Sequence, residues 1–464
     1  MDSNYNMSFN TGFNPNAPPF SSRMTPPMLA LRDAFANVDD VTAWNHCLGL
    51  RRLNNIPPMA NDLADHIIVV CLDCEHWSEN TDETTEIGFG TFKTQDLRPF
   101  VQSGNFGDHA ENLMKQIRFY LLRTIPHSHL PKTNPNSRGV EGNRFGQARF
   151  ATFTEARSIL GNVFIQPIKN VASLRSQNHP IVVLGQDITH DRDNLKDKDV
   201  AFDVNGMGTV IRYIDTQVLA GEAGFWNHRN EKVGLRSLVQ RLWFQHSDPH
   251  TAANDVGRTL ISAFQLALIN HPCKKLENVT KSMLQVADGI EAHSRATFQS
   301  LGGSAQYCWK CGSREHMIAN CRATGLRCEE CWSKGRFQEA GTHITLHCMW
   351  RAQEKAQARR AHHEEQRRRA GAQPRRSYRG RGQNYQGYSI IRNLPPGDFT
   401  TWYLTHANLP PSHRPPSGGR GGDGWASTGR GSWTGYGRGR GDGGGRGDGR
   451  GRGGHGRGGS SSGW

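Results

Sequence analysis

Two carboxylates, Asp73 and Glu75, close an apolar run that begins at Ile67 (IIVVCLDCE). A stretch of β-branched and aliphatic residues reads as a strand buried on both faces, and side chains two apart on a strand share a face. The two acids therefore sit side by side where the strand leaves the core. That placement costs on the order of several kcal/mol through repulsion and lost hydration unless a cation neutralises it. A strand that surfaces into solvent would look the same over these residues alone, so the pair needs structural context. A second chemistry lies in Cys308-x2-Cys311-x4-His316-x4-Cys321, four soft or borderline ligands at a spacing that wraps a tight loop around Zn²⁺. Cys328-x2-Cys331-x11-His343-x4-Cys348 repeats it with a larger middle loop. His347 adjoins Cys348 and is the weaker choice of ligand beside His343. Closed four-ligand zinc sites are structural and do no hydrolysis.

The elements that must position these residues alternate between strand and helix. Residues 1–27 are rich in Asn, Ser and Pro and are expected to be disordered. Residues 28–60 predict an accessory helix from Met28 to Arg52, with Leu29, Leu31, Phe35 and Trp44 as its apolar positions. The body spans 61–275. After the first strand come the polar turn SENTDETT and a hairpin partner, Glu86 to Phe92. Helical spacing follows at Asn112–Leu122 and Thr154–Ile168, with a turn-rich connection between them. Pro180–Gly185 is a third buried strand that again ends in acids, Asp187, Asp191 and Asp193. Val210–Asp215 is a further strand, and Gly234–Phe244 and Asp255–Ile269 are helices. This alternation describes an α/β layer fold. Asp187 and Asp193 read as solvated or helix-starting acids. Asp255 could merely cap the helix it opens, a reading that His250 five residues earlier weakens. Cys71 and Cys74 point to opposite strand faces and read as core residues, and His76, His246 and His271 read as surface histidines.

In order, Asp73-Cys-Glu75, Glu86-Ile-Gly88, Gly185 followed by Asp191 and Leu195, Asp215-Thr216, and His250-Thr-Ala-Ala-Asn-Asp255 resemble the motifs of the DEDDh exonucleases of the ribonuclease H-like superfamily. The long insertion before Gly185, including Arg144-Phe-Gly-Gln147, is similar to the fungal branch that includes the exonuclease partner of Argonaute in RNA silencing and the Gfd-type proteins. The resemblance covers about residues 60 to 275. Gln186 departs from it, where many relatives carry histidine, at a position that is not a ligand in the family. The implied fold is α/β, a ribonuclease H-like mixed sheet flanked by helices, and the implied activity is 3′-to-5′ exonuclease. By the same resemblance Asp73 bridges two Mg²⁺ or Mn²⁺ ions, Glu75 and Asp255 help hold the one that activates water, Asp191 holds the other, and His250 is the general base. Hard cations favour such carboxylates, and histidine's ordinary pKa near 6.5 suits proton transfer.

A polar linker, 276–306, leads to the cysteine-rich block, 307–349, whose spacing is that of tandem CCHC zinc knuckles and implies two structural Zn²⁺ ions. Tyr307, Trp309 and Trp332 beside the ligands could stack on unpaired bases, with Arg322 and Arg327 available to phosphates. Residues 350–370 read as a solvated basic helix. Residues 371–464 form an RG-rich tail expected to be disordered: 23 of residues 417–464 are Gly and 8 are Arg. Arg379, Arg381, Arg438 and Arg440, interleaved with tyrosines and tryptophans, suit a sequence-tolerant grip on RNA or single-stranded nucleic acid. Charge supports this: residues 351–464 carry 21 basic against 7 acidic residues and hold the whole surplus of +14. Gly424-Trp425 and Gly463-Trp464 resemble hooks that bind Argonaute proteins, though such dipeptides arise readily by chance in a glycine-rich tail. An Argonaute or other RNA-processing protein is the implied partner. The cysteines show no disulfide framework, which points to an intracellular protein, cytoplasmic and/or nuclear. No apolar run reaches the roughly 20 residues that span a bilayer, so no membrane is expected. The competing expectation is a catalytically inactive RNA-binding adaptor or scaffold in a silencing or mRNA-export complex.

Overall fold

Ile68–Trp77 (β1) forms the centre of a six-stranded mixed sheet, flanked on one side by an antiparallel partner and on the other by a parallel one. The computed structural model describes residues 24–131, 139–227, 231–245, 250–269 and 279–371. The other strands are β2 (Asn80–Lys93), β3 (Arg118–Thr124), β4 (Gln147–Ala151), β5 (Ile181–Gly185) and β6 (Val210–Asp215), in the order β4-β3-β2-β1-β5-β6. β1 pairs antiparallel with β2 and parallel with β5, so β1 and β5 deliver their acidic C-terminal ends to the same edge of the sheet. Alternation sorts the core into two layers. Val69 and Cys71 face the helix Ala252–Leu268, whereas Ile68, Val70 and Leu72 face the helices Phe153–Phe164 and Ile188–Asp197.

The hairpin between β1 and β2 is tighter than the polar composition of SENTDETT suggests. Trp77 pairs with Asn80, leaving Ser78 and Glu79 as the turn, and β2 runs through the polar stretch. The segment with helical phase at Asn112–Leu122 holds only a short helix, Glu111–Met114, before turning into β3. The run Phe-Tyr-Leu-Leu there is shielded on both faces, and pairing with β2 overrides its local phase. Residues 147–151 add a strand where a turn-rich connection and the approach to a helix were expected.

Two expectations at the periphery are corrected. In place of one accessory helix the N-terminal segment folds as two, Pro26–Ala36 and Asp40–Cys47, because Asp39 breaks the run and caps the second by accepting from Thr42 N–H. They are part of the core: Leu31, Phe35 and Trp44 are fully buried, the Trp44 indole donates to Ala263 O, and Arg212 of β6 reaches Phe35 O and Asp40 Oδ1. Leu29, by contrast, is exposed. The polar linker is largely a docked helix, Met283–Ala296, with a capping box between Ser282 and Gln285. Met283, Val286, Ala287 and Ile290 form a buried stripe at helical spacing, and Ser304 then pairs with Phe150 at the end of β4. Residues 1–23 and 372–464 lie outside the described residues, and with them Arg379, Arg381, Arg438, Arg440 and both Gly-Trp dipeptides. His246, His271 and Cys273 lie outside them too. No helix among the described residues is long and apolar enough to cross a membrane.

Two glycines fix how closely the layers approach. A Cβ on Gly88 of β2 would sit 2.2 Å from the Ala252 carbonyl carbon, so only glycine lets the start of the Ala252–Leu268 helix rest on the strand. Gly146 has φ +61° and would meet Phe119 O at 2.2 Å. Gly88→Ala is expected to cost about 1–3 kcal/mol by overpacking, measured by urea unfolding; an unchanged midpoint would show that the helix can retreat freely.

Candidate metal centres and nuclease site

Along β1 the residues at positions 69, 71, 73 and 75 share one face, so Asp73 and Glu75 continue the row that covers the Ala252–Leu268 helix. The register shifts between Glu75 and His76 and again between His76 and Trp77. This bulging re-aims the strand just past the acids. On the opposing helix, Thr251 is the N-cap, accepting from Asn254 N–H. Asp255 is thus freed from capping, and its carboxylate turns toward β1. Asp73, Glu75 and Asp255 each offer an oxygen within 4.8 Å of the other two. Octahedral coordination at about 2.1 Å separates neighbouring oxygens by about 3 Å and opposite ones by about 4 Å, so the three can share one hard cation with small adjustments.

Asp191 reaches this edge from the other layer. It sits in the first turn of Ile188–Asp197, just after β5, and its Oδ1 accepts from Cys74 N–H at 3.1 Å. It stands beside the three-carboxylate group, not within it. Asp187 begins the same helix at φ +60° and is exposed, as is Asp193. His250 lies with Nδ1 3.1 Å from Asp255 Oδ2, its side chain half exposed.

The electrostatics are those of carboxylates crowded at a shielded edge. Burial, then the charges of Asp191, Asp255 and Glu75, push the Asp73 carboxyl well above the usual range. Burial is also the largest cause raising Asp191, to about 8, against the opposing hydrogen bond from Cys74. Asp73 Oδ2 is fully shielded and accepts no hydrogen bond, the condition that a cation would relieve. Asp255 is better compensated, with Arg258 2.9 Å from Oδ1 and His250 on Oδ2. The hydrogen bond to Asp255, then its charge, raises the His250 pKa. The donor set therefore fits hard divalent ions.

Both cysteine clusters converge as their spacing requires. Ligand atoms of Cys308, Cys311, His316 and Cys321 lie within 4.8 Å of one another, as do those of Cys328, Cys331, His343 and Cys348. Cys311 Sγ to His316 Nε2 is 3.5 Å, Cys331 Sγ to His343 Nε2 is 3.8 Å, and Cys331 Sγ to Cys348 Sγ is 3.6 Å. A tetrahedron with Zn–S near 2.3 Å has edges of about 3.8 Å, so both sets fit zinc. Thr342 Oγ1 lies 2.9 Å from His343 Nδ1, which leaves Nε2 for the cluster. His347 is engaged elsewhere, by the Tyr307 hydroxyl at 2.7 Å and by His129.

Several side chains expected at a nucleic-acid surface are distributed differently. Tyr307 is buried against Phe150 and cannot stack on a base. Trp309 is half buried in a cleft with Lys310 and Ile318. Trp332 is 44% exposed, with the Arg327 guanidinium 4.3 Å from its ring, and Arg322 is exposed. His76 is no surface histidine: it is half-buried with Nε2 shielded from solvent, and this burial pushes its pKa down to about 3.

Residues 68–266 match the family described as DEDDh_C, the DNA polymerase III subunit epsilon-like C-terminal domain. That segment is similar to the DEDDh exonucleases. No curated protein matches the chain. The DEDDh-like segment spans all six strands and contains Asp73, Glu75, Asp191, His250 and Asp255, and the match supports a nuclease function.

Sequence reasoning missed Arg258 and, though it quoted Glu86 and Arg144 among the motifs, it missed the contacts through which they hold the site's elements together. Arg258 stands one helical turn after Asp255, a spacing that could have flagged it. Glu86 Oε2 accepts from Ala252 N–H at 3.3 Å and so ties β2 to the start of the helix. Arg144 joins the neighbouring helix through Glu291 at 2.6 Å, while its N–H donates to Asn254 Oδ1.

Because the Asp191 pKa is raised on folding from an ordinary value near 3.9, the folded chain holds a proton that the unfolded chain releases. Stability from this group is therefore lost as pH rises from about 4 to about 8. Metal-free wild type is expected to lose more melting temperature over that window than Asp191→Asn, and Mg²⁺ at pH 8 should restore it. Parallel pH profiles for the two proteins would contradict the assignment.

Proposed function

We propose that the chain is a metal-dependent 3′-to-5′ exonuclease acting on RNA or single-stranded nucleic acid. The observation that carries this is the convergence of Asp73, Glu75 and Asp255 from two packed elements at the sheet edge, with Asp191 joined through Cys74 and His250 on Asp255. These acids would hold two Mg²⁺ or Mn²⁺ ions, which when bound lower the pKa of water and stabilise charge at the attacking and leaving oxygens.

The chain's own residues supply the remainder. Asp73 and Glu75 fix the reaction point at the end of the central strand, and Asp191 is oriented by a main-chain donor. His250, half exposed and oriented through Nδ1 by Asp255, is suited to take the proton from the attacking water and release it to solvent. Cutting direction follows from the resemblance. The choice of RNA follows from the zinc-binding module, where Trp332 and Arg327 offer a stacking face and positive charge, and from the arginine-rich tail. An Argonaute or other RNA-processing protein is the proposed partner, on the strength of the tail's composition and the likeness to the silencing exonucleases.

Full-length protein is tested on end-labelled RNA with Mg²⁺. Stepwise shortening from the 3′ end is expected, abolished by Asp73→Asn and reduced about 10² to 10⁴-fold by His250→Ala. Tight binding with no shortening would instead make the chain an adaptor or scaffold. Removing residues 371–464 is expected to weaken RNA binding and flatten its dependence on salt; an unchanged salt slope would remove the tail from the substrate path.

A further inference from the structure

The basic segment after the second cysteine cluster does not stand free in solvent. Met349–Gly371 is one helix of 23 residues whose first turn grows out of the cluster, with Ala352 N–H donating to Cys348 O. Ala352 and Ala356, one turn apart, are buried against Trp77 and Leu130. Trp77 is two residues beyond Glu75, on the strand that carries both acids. The charges agree with the packing. Arg359 pairs with Asp82 and donates to Asn80 Oδ1, Arg360 is 2.8 Å from Glu79, and Lys355 is the leading charge on buried Glu83. Arg359 and Arg360 thus pair with two acids of the β1–β2 hairpin, and Lys355 on the same stripe is the leading opposite charge on a third, Glu83. From the other side Lys198 donates to Thr81 O.

Hairpin acids alone would repel one another beside an already acidic centre, and the strand bulges twice between Glu75 and Trp77, where its ladder is weakest. We propose that the Met349–Gly371 helix is a positioning element for the carboxylate centre: rooted in the second zinc-ligand cluster, it clamps the hairpin and so fixes Asp73 and Glu75. The helix pairs with acids of the hairpin turn, not with Asp73 or Glu75 themselves. It acts through Trp77 and the hairpin, and it links the cysteine-rich module to the reaction centre mechanically, apart from any role of that module in holding RNA. This inference rests on reading Asp73, Glu75 and Asp255 as a divalent-ion site.

The test is Mn²⁺ binding to full-length protein, followed by electron paramagnetic resonance, with zinc content and cleavage of a dinucleotide too short to bridge to the cysteine-rich module. In the double variant Arg359→Glu, Arg360→Glu the zinc content is expected to stay at the wild-type level, Mn²⁺ affinity to fall about tenfold, and dinucleotide kcat to fall with it. Adding Glu79→Arg and Asp82→Arg should restore the affinity, which a nonspecific loss of stability would not allow. If the reversed charges prevent folding, Lys355→Ala with Arg359→Ala removes the pairing without reversing it and should weaken Mn²⁺ several-fold. Equal Mn²⁺ affinity in wild type and the folded variants overturns this inference alone. A wild type that takes up no Mn²⁺ overturns the carboxylate centre and this inference with it.

Discussion

The structure turns on one electrostatic debt: carboxylates crowded at the shielded end of a central strand. Asp73 carries it most heavily, with one oxygen that meets neither solvent nor a donor. A protein stable by only about 5–15 kcal/mol does not keep such a group by default. It is kept where a ligand of opposite charge repays the cost, and hard divalent cations are the ligands that carboxylates favour. Arg258 and His250 compensate Asp255, so what is left uncompensated points at β1.

The rest of the fold can be understood as the means of holding that arrangement. Gly88 admits the helix bearing Asp255 to contact with β2, Glu86 ties the helix start to the same strand, and the parallel pairing of β1 with β5 brings Asp191 to the shared edge. The cysteine-rich module is also part of the scaffold. Arg314 makes a two-pronged contact with Glu155, at 2.7 and 3.0 Å, and Tyr307 packs on Phe150. A cysteine-rich module seated on the sheet in this way has a direction relative to the carboxylates that a tethered module would lack.

Much of the site was legible because its determinants are local or strictly spaced. Both cysteine sets could be read from spacing, and the structure gathers each into one cluster; the acids at the strand's end needed context, and the His250 and Asp255 pair was read through the likeness to the DEDDh motifs. What was not legible depended on partners distant in sequence. Residues Phe119–Leu122 carry a helical phase but are shielded on both sides of a sheet. Asp39, a single capping acid, divides what periodicity presents as one helix. The stripe Met283, Val286, Ala287, Ile290 was visible in principle but diluted by polar neighbours. The C-terminal helix has so little apolar surface that only its alanine pair and its match to Glu79, Asp82 and Glu83 explain why it docks.

The most direct measurement is anomalous diffraction from crystals of the protein soaked in Mn²⁺. Anomalous peaks within ligand distance of Asp73, Glu75 and Asp255, and lost in Asp73→Asn, are the expected result. Peaks confined to surface acids, with none between β1 and the helix that bears Asp255, would contradict the account.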